Sequence, residues 1–154
     1  MVGRIAEGLS AFAPEDTSFD AGRVMLRRLR ELAVDGKDFA FETTLASRSY
    51  ARWLKELQSQ GYRVSLIFLW LESVELAIAR VKERVRLGGH NIPEDTIRRR
   101  YERGLKNLFE LYIPIVNAWS VRDTSFARSI EIARYNKTTG ESIFDEELWT
   151  KIRR

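Results

Sequence analysis

One apolar run, Val64 to Leu71, restricts the fold of this chain more than any other feature of its sequence. It reads VSLIFLWL, with a single serine in eight residues. That is far shorter than the roughly twenty residues of a membrane-spanning helix. Because the run does not alternate between apolar and polar residues, it is typical of a strand that is covered on both faces. The sequence therefore predicts a buried strand in a parallel sheet.

Helical patterns and short β-prone segments surround this run. Apolar residues at helical spacing predict helices over 19–34, 50–60, 72–87, 93–108 and 146–152, with a further helical stretch over 112–119. Strands are predicted over 39–44, 63–71 and 129–135. This order predicts an α/β fold, a three-layer sandwich with a mostly parallel sheet. With 154 residues and no long linker, we expect a single domain over 1–154.

Composition excludes several classes of protein. The chain has no cysteine, which rules out disulfide frameworks and thiolate metal sites and favours a reducing cytoplasm. We find no signal peptide and no membrane segment, so we expect a soluble protein without a membrane partner. The net charge is +4, yet nine Lys or Arg and only four acidic residues lie between Arg80 and Lys106. The positive charge is therefore concentrated in one basic segment, 80–106.

The triplet Glu42-Thr43-Thr44 closes the first predicted strand. Ligands of parallel α/β sheets bind at the carboxyl ends of the strands. A carboxylate there can bind a hydroxyl-bearing substrate, and a threonine hydroxyl can hold a phosphate or sugar oxygen. The alternative is that Glu42 caps the following helix and the threonines satisfy a turn. The triplet alone does not separate these interpretations.

The basic segment 80–106 contains Arg84, Arg86 and His90 around the pair Gly88-Gly89, and Arg98 to Arg100 follow. The planar guanidinium matches phosphate oxygens and can neutralise charge on a transferred phosphoryl group. Two arginine-bearing helices joined at a glycine hinge would form a lid over a phosphate. The alternative is a solvated helix face.

His90 is the only histidine, and no GxSxG motif is present. We therefore reject a serine-histidine triad and metal sites built from several histidines, and we predict no metal ligands. Nucleic-acid binding is a weaker alternative for the basic segment. A surface that follows a single strand interleaves basic residues with exposed aromatic residues, and this segment does not.

Several segments of the chain resemble a known family. The segments FAFETTLASRSY and RVRLGGHNIPEDTIRRRYERGLKNL are similar to the zeta-toxin family of P-loop kinases, and the similarity extends from Ile5-Ala-Glu-Gly-Leu-Ser10 through Asp20-Ala-Gly-Arg23 to Asp123-Thr-Ser125. The resemblance implies a kinase that phosphorylates a sugar nucleotide such as UDP-N-acetylglucosamine with ATP and Mg²⁺, and it implies an antitoxin partner. It further implies substrate binding by Glu42, Thr44, Arg48 and Arg98. Arg84, Arg86 and His90 are implied as catalytic residues; Arg84 and Arg86 compete for one lid position, while His90 and the Arg98 to Arg100 group are alternatives for a second phosphate contact.

Two motifs of the family are missing. No G-x-x-x-x-G-K-[ST] loop is present, and the single Gly-Lys pair, Gly36-Lys37, lies in a turn between a helix and a strand. Where the family has Asn-x-Asp, with its presumed catalytic base, this chain reads Met1-Val2-Gly3. We therefore expect an N-terminally incomplete or decayed kinase domain that does not bind ATP tightly and is inactive alone. The alternative is a non-catalytic binding module that keeps the substrate pocket or a protein-partner surface.

The loss of the first strand and its loop also predicts a physical consequence. Neighbouring strands would keep unpaired backbone groups and exposed apolar side chains at a sheet edge. We therefore expect self-association through that edge.

Overall fold

The structure, a computed structural model, describes residues 15–154, with side chains from Arg23 onward. The elements are α1 (Glu15–Val34), α2 (Ser49–Ser59), β1 (Ser65–Trp70), α3 (Val74–Arg86), α4 (Glu94–Asn107), a π-helical turn (Leu108–Tyr112), β2 (Ala118–Asp123), β3 (Ile130–Asn136), β4 (Gly140–Ile143) and α5 (Glu146–Ile152). The Ile5–Ser10 stretch, the Met1-Val2-Gly3 positions and the side chains of Asp20 to Gly22 lie outside this description. No helix in the described part of the chain is long and apolar enough to cross a membrane.

Two compact units make up the described chain. The first contains residues 15–43 and 81–91, and the second contains residues 44–80 and 92–154. In the first unit, α1 buries Leu29 and Leu32, and Gly36 in the turn after it has a φ of 65°, which glycine readily adopts. The backbone N–H of Lys37 then donates to the carbonyl oxygen of Leu32 at 2.9 Å, which satisfies an end of the helix.

The second unit contains a four-stranded mixed sheet in the order β1-β2-β3-β4. Strands β1 and β2 are parallel, whereas β2–β3 and β3–β4 are antiparallel. The expected α/β class is confirmed, and the mostly parallel sheet is wrong. Strands β3 and β4 are joined by a tight turn in which the Asn136 side chain accepts from the N–H groups of Thr138 and Thr139, both at 2.9 Å. Such a short connection permits only antiparallel pairing.

Two predicted elements differ from the structure. Residues 39–44 form no strand. A β-prone run shows only a local preference, and pairing with residues distant in the chain decides whether it becomes a strand. The helix predicted over 112–119 stops at Tyr112, and β2 begins at Ala118. Asn117 fixes this change, since its side-chain oxygen accepts from the N–H of Val64 at 2.7 Å and so places β2 beside β1.

Strand β1 alternates in burial, although its sequence does not alternate. Leu66 and Phe68 are half-buried and Trp70 is buried, while Ile67 and Leu69 on the opposite face are 67% and 60% exposed. The prediction of a strand covered on both faces is therefore wrong. Because β1 pairs only with β2 in the described sheet, it is also an edge strand.

The core of the second unit lies on the other face of this sheet. Val121 and its register partner Ala133 are fully buried there, and Ile132 beside them is also fully buried. Trp119 stacks on Trp149 of α5 at 5.4 Å between ring centroids, and Phe109 contacts the same ring at 5.5 Å. Aromatic pairs of this kind add about 0.5–1.5 kcal/mol to the effect of burial. They hold α5 and the π-helical turn against the sheet.

Candidate functional site

The carboxyl ends of the parallel strands β1 and β2 lie side by side. Trp70 and Asp123, the last residues of the two strands, are in register. Thr124 continues the pairing, because both its N–H and its hydroxyl donate to the carbonyl oxygen of Trp70, at 2.9 and 3.0 Å. The residues that follow each strand therefore meet at the edge of the sheet where α/β proteins bind their ligands.

A network of hydrogen bonds orders this edge around Asp123, which is 5% exposed. Its carboxylate accepts from the hydroxyl of Ser125 and from the N–H of Ser125, the latter at 2.8 Å. The Ser125 hydroxyl in turn accepts from the N–H of Glu72 at 2.8 Å. Asp123 therefore orients Ser125, and Ser125 connects the segments that follow β1 and β2.

Arg80 and Tyr101 form hydrogen bonds with the backbone that follows the two strands. The guanidinium of Arg80 donates to the carbonyl oxygens of Thr124 and Ser125, the latter at 3.3 Å. The hydroxyl of Tyr101 on α4 donates to the carbonyl oxygen of Leu71 at 2.7 Å, and burial raises the pKa of this tyrosine. We refer to Glu72, Arg80, Asp123 and Ser125 as the strand-end cluster. It combines a buried carboxylate, an ordered hydroxyl and a guanidinium.

Sequence reasoning did not select the strand-end cluster. In the sequence, Asp123 and Ser125 mark only the limit of the family resemblance, and the segment 112–119 before them has a helical pattern. Since residues 118–123 were not expected to form a strand, their carboxyl end could not be expected to hold a site. Alternation in Trp119-Ser-Val-Arg-Asp123 was the signal that could have revealed the strand.

Arg84 lies in the first unit, in the last turn of α3. Its carbonyl oxygen accepts from the N–H of Gly89 at 2.9 Å, and its guanidinium donates to the carbonyl oxygen of His90 at 3.5 Å. The side chain of His90 is exposed. Arg84 and His90 are thus brought together through the backbone of the turn that follows α3.

Arg86 has a different environment in the same unit. Its guanidinium donates to both carboxylate oxygens of Glu83, at 2.9 and 2.7 Å. The hydrogen bond with Glu83 raises the pKa of Arg86 and lowers the pKa of Glu83. Both side chains are mostly exposed, so the pair is open to solvent and can be exchanged for another anion.

The remaining predicted residues lie in loops and on α4. Glu42, in the first unit, and Thr44, in the second, are exposed and follow no strand, which corrects the expected position at a strand end. Arg48 is exposed and precedes α2, with no side-chain cap hydrogen bond at that helix start. Arg98 on α4 forms an ion pair with Glu75 at 2.8 Å, and this hydrogen bond raises the pKa of Arg98. The assignment of these residues to a substrate remains a prediction.

Comparison with known proteins assigns the family. The sequence model of the zeta toxins matches residues 8–128, which is most of the chain. The chain belongs to the zeta-toxin family. Its domain is therefore a kinase-like phosphotransferase domain, of a family that is generally ATP-dependent.

One relative of this zeta-toxin domain is an uncharacterized protein of Haemophilus influenzae. It is 32% identical over 97 residues, which are 63% of this chain and 69% of the relative. No solved structure matches the chain. The matched family region includes the basic segment 80–106 and ends just beyond the strand-end cluster.

The sequence of this zeta-toxin domain lacks the loop with which P-loop kinases hold a nucleoside triphosphate. The printed sequence contains no G-x-x-x-x-G-K-[ST] motif. The backbone N–H of Lys37, in the single Gly-Lys pair, is bonded to the end of α1 and so is not available to a phosphate. Among the residues that the structure describes, no three His, Cys, Asp or Glu are grouped in a way that could hold a metal ion.

Proposed function

We propose that these 154 residues form the substrate-binding part of a zeta-toxin phosphotransferase, one that binds a sugar nucleotide such as UDP-N-acetylglucosamine and transfers no phosphate alone. The observation that carries this proposal is the combination of family membership with the lack of a phosphate-binding loop in the sequence. The backbone N–H groups of such a loop are what hold the phosphates of the donor nucleotide. Without them, phosphate transfer has no donor site.

The roles of individual residues follow from their chemistry. Thr44 and Arg48 supply an exposed hydroxyl and a guanidinium for the sugar and the phosphates, and Glu42 supplies a carboxylate for a sugar hydroxyl. Arg98 adds a second guanidinium. Arg84 or Arg86, with His90, would contact the transferred phosphoryl group in an intact enzyme. Among the residues that the structure describes, the partner of Arg86 is the exposed carboxylate of Glu83, so Arg86 is the arginine that we favour.

The strand-end cluster offers further groups that could bind the same ligand. Asp123 keeps the Ser125 hydroxyl in a fixed orientation, and Arg80 places a positive charge beside it. A hydroxyl and a guanidinium at the end of parallel strands suit a phosphate or sugar oxygen. We therefore include this cluster in the proposed substrate site.

Calorimetric titration of the purified chain tests the proposal. We expect binding of UDP-N-acetylglucosamine and no binding of ATP with Mg²⁺, together with no phosphorylated product when both are mixed. If ATP binds, an unrecognised phosphate site exists and the argument from the missing loop is wrong. If the sugar nucleotide does not bind, the proposed substrate is wrong.

A second candidate function is a non-catalytic binding module whose ligand is a protein, such as an antitoxin. Family membership favours it, since the family is named for toxins. The exposed apolar residues of β1 offer a surface for such a contact. Binding of the sugar nucleotide favours the first function, whereas its failure combined with a stable complex with a cognate protein favours the second.

A further inference from the structure

The loop formed by Thr44, Leu45, Ala46, Ser47 and Arg48, here called the 44–48 loop, has a strained backbone. Leu45 has a φ of 57°, and it is the single non-glycine residue with a positive φ in the described part of the chain. A leucine in this conformation is strained, because its Cβ crowds the backbone. Its side chain is nevertheless only 3% exposed. Such a conformation persists only when neighbouring groups hold it in place.

Two side chains from one helical stretch hold this loop by its carbonyl oxygens. The side-chain amide of Asn107, at the end of α4, donates to the carbonyl oxygen of Leu45 at 2.7 Å in a buried environment. The hydroxyl of Tyr112 donates to the carbonyl oxygen of Ser47. Tyr112 is 1% exposed, so its position is fixed by the surrounding core.

The helix itself is shaped to receive the loop. Gly104 has the carbonyl oxygen of Thr44 so close that a Cβ at this position would overlap it. After Asn107 the helix widens to a π-helical turn, in which the N–H of Ile113 donates to the carbonyl oxygen of Leu108 at 2.8 Å. Turns of this kind are frequent at functional sites. The helical stretch 104–112 therefore meets the loop at three points: Gly104 lies against Thr44, Asn107 is bonded to Leu45, and Tyr112 is bonded to Ser47.

We propose that Asn107 and Tyr112 are positioning residues, which hold the 44–48 loop in one preformed conformation with Thr44 and Arg48 exposed for a phosphorylated ligand. The identity of that ligand rests on the proposed function. The strain does not weaken ligand binding. The loop is already ordered before the ligand arrives, so the free energy of ordering it does not reduce the free energy of binding. Neither residue contacts the ligand.

The first test measures the loop directly by limited digestion with trypsin, with the cleavage after Arg48 quantified by mass spectrometry. Tyr112→Phe removes one hydroxyl without changing the shape of the core, and Asn107→Ala removes the other donor. We expect cleavage after Arg48 to be about 5- to 10-fold faster in both variants, since each loses one hydrogen bond to the loop. Cleavage after Lys137, in the exposed β3–β4 turn, is the internal reference and should not change.

Tyr101→Phe is the matched control. Like Tyr112→Phe, it removes a tyrosine hydroxyl from the same helical stretch. This hydroxyl donates to the carbonyl oxygen of Leu71 at 2.7 Å. Its cleavage after Arg48 should stay within twofold of the wild-type rate. The proposal is overturned if Tyr112→Phe leaves this cleavage unchanged, or if Tyr112→Phe accelerates cleavage equally after Arg48 and Lys137.

The second test measures whether the ordered loop contributes to ligand binding. Where the wild-type chain binds UDP-N-acetylglucosamine, we expect about 10-fold weaker binding in Tyr112→Phe, and a smaller effect in Tyr101→Phe at a similar loss of Tm. Equal affinity of Tyr112→Phe and the wild-type chain would overturn the role of the loop in binding. If the wild-type chain does not bind, the proposed substrate fails, while the cleavage rates still decide whether Asn107 and Tyr112 hold the loop.

Discussion

Arg98 and Glu75 form an ion pair of 2.8 Å that joins α4 to α3. The Glu75 carboxylate is therefore bound to the Arg98 guanidinium, which is the group that we propose as a contact for a substrate phosphate. The hydrogen bond with Arg98 lowers the pKa of Glu75, so the pair is charged at neutral pH. Both side chains are substantially exposed, which means that a phosphate can compete with the carboxylate.

Replacement of Glu75 tests this competition. We expect Glu75→Gln to tighten the binding of UDP-N-acetylglucosamine by roughly two- to fivefold, because it removes the competing charge. Arg98→Gln should weaken binding by about tenfold or more. Titration calorimetry measures both, with Glu102→Gln on the same helix as the control. Equal affinities of all three variants would show that Arg98 does not contact the ligand.

The same pair predicts a dependence on acid. Because the pKa of Glu75 is lower in the folded state, its contribution to stability is present above the ordinary carboxyl pKa and is lost as the pH falls through the lowered value. Thermal unfolding of the wild-type chain and Glu75→Gln should therefore converge in strongly acidic solution. A constant difference in Tm at all pH values would contradict this assignment.

Gly104 should not tolerate a side chain. Ala normally stabilises a helix interior by up to about 1 kcal/mol relative to Gly. Here the added Cβ would overlap the carbonyl oxygen of Thr44, so we expect Gly104→Ala to lower the free energy of unfolding by about 1–3 kcal/mol. Urea denaturation measures the difference. Arg103→Ala, at an exposed neighbouring position, is the control and should change the free energy of unfolding by less than about 0.5 kcal/mol.

Tyr112 predicts a loss of stability in alkali. Burial raises the pKa of its phenol to about 12, with a smaller contribution from Tyr50. The folded state thus keeps a proton that the unfolded state releases near pH 10, so stability is complete below pH 10 and falls between pH 10 and 12. Tyr112→Phe should be less stable than the wild-type chain at pH 8 and should lose less stability over that interval. Parallel curves of unfolding free energy against pH would contradict this prediction.

In the sheet that the structure describes, β1 lies at an edge, and this position predicts self-association. The strand SLIFLW has no charge, proline or glycine, and edge strands without such features pair readily with other strands. Ile67→Lys should shift the chain toward the monomer in sedimentation experiments at high concentration. Ile130→Lys, which replaces an exposed isoleucine on the interior strand β3, should not. A wild-type chain that is monomeric at high concentration would contradict the prediction.

Local patterns predicted most of the helices. Each of α2, α3, α4 and α5 was expected within a few residues of its observed bounds, because an amphipathic helix satisfies its own backbone and only needs one face to be buried. The strand β1 was predicted for its apolar composition, and β3 for its β-prone residues. Gly36, Gly61 and Gly88 lie two residues beyond the ends of α1, α2 and α3, and all three have a positive φ.

The sequence by itself determined the α/β class, the helices and the family, since these depend on spacing and residue type along short stretches. Only the tertiary structure decided the sheet. Whether residues 39–44 and 118–123 become strands depends on partners distant in sequence, and so does the mixed order of strands. The strand-end cluster and the hydrogen bond from Asn107 to Leu45 also depend on the tertiary structure, because each joins residues about 50 or 60 positions apart in the sequence. Hydrogen bonds of that kind leave no periodic signal in the chain.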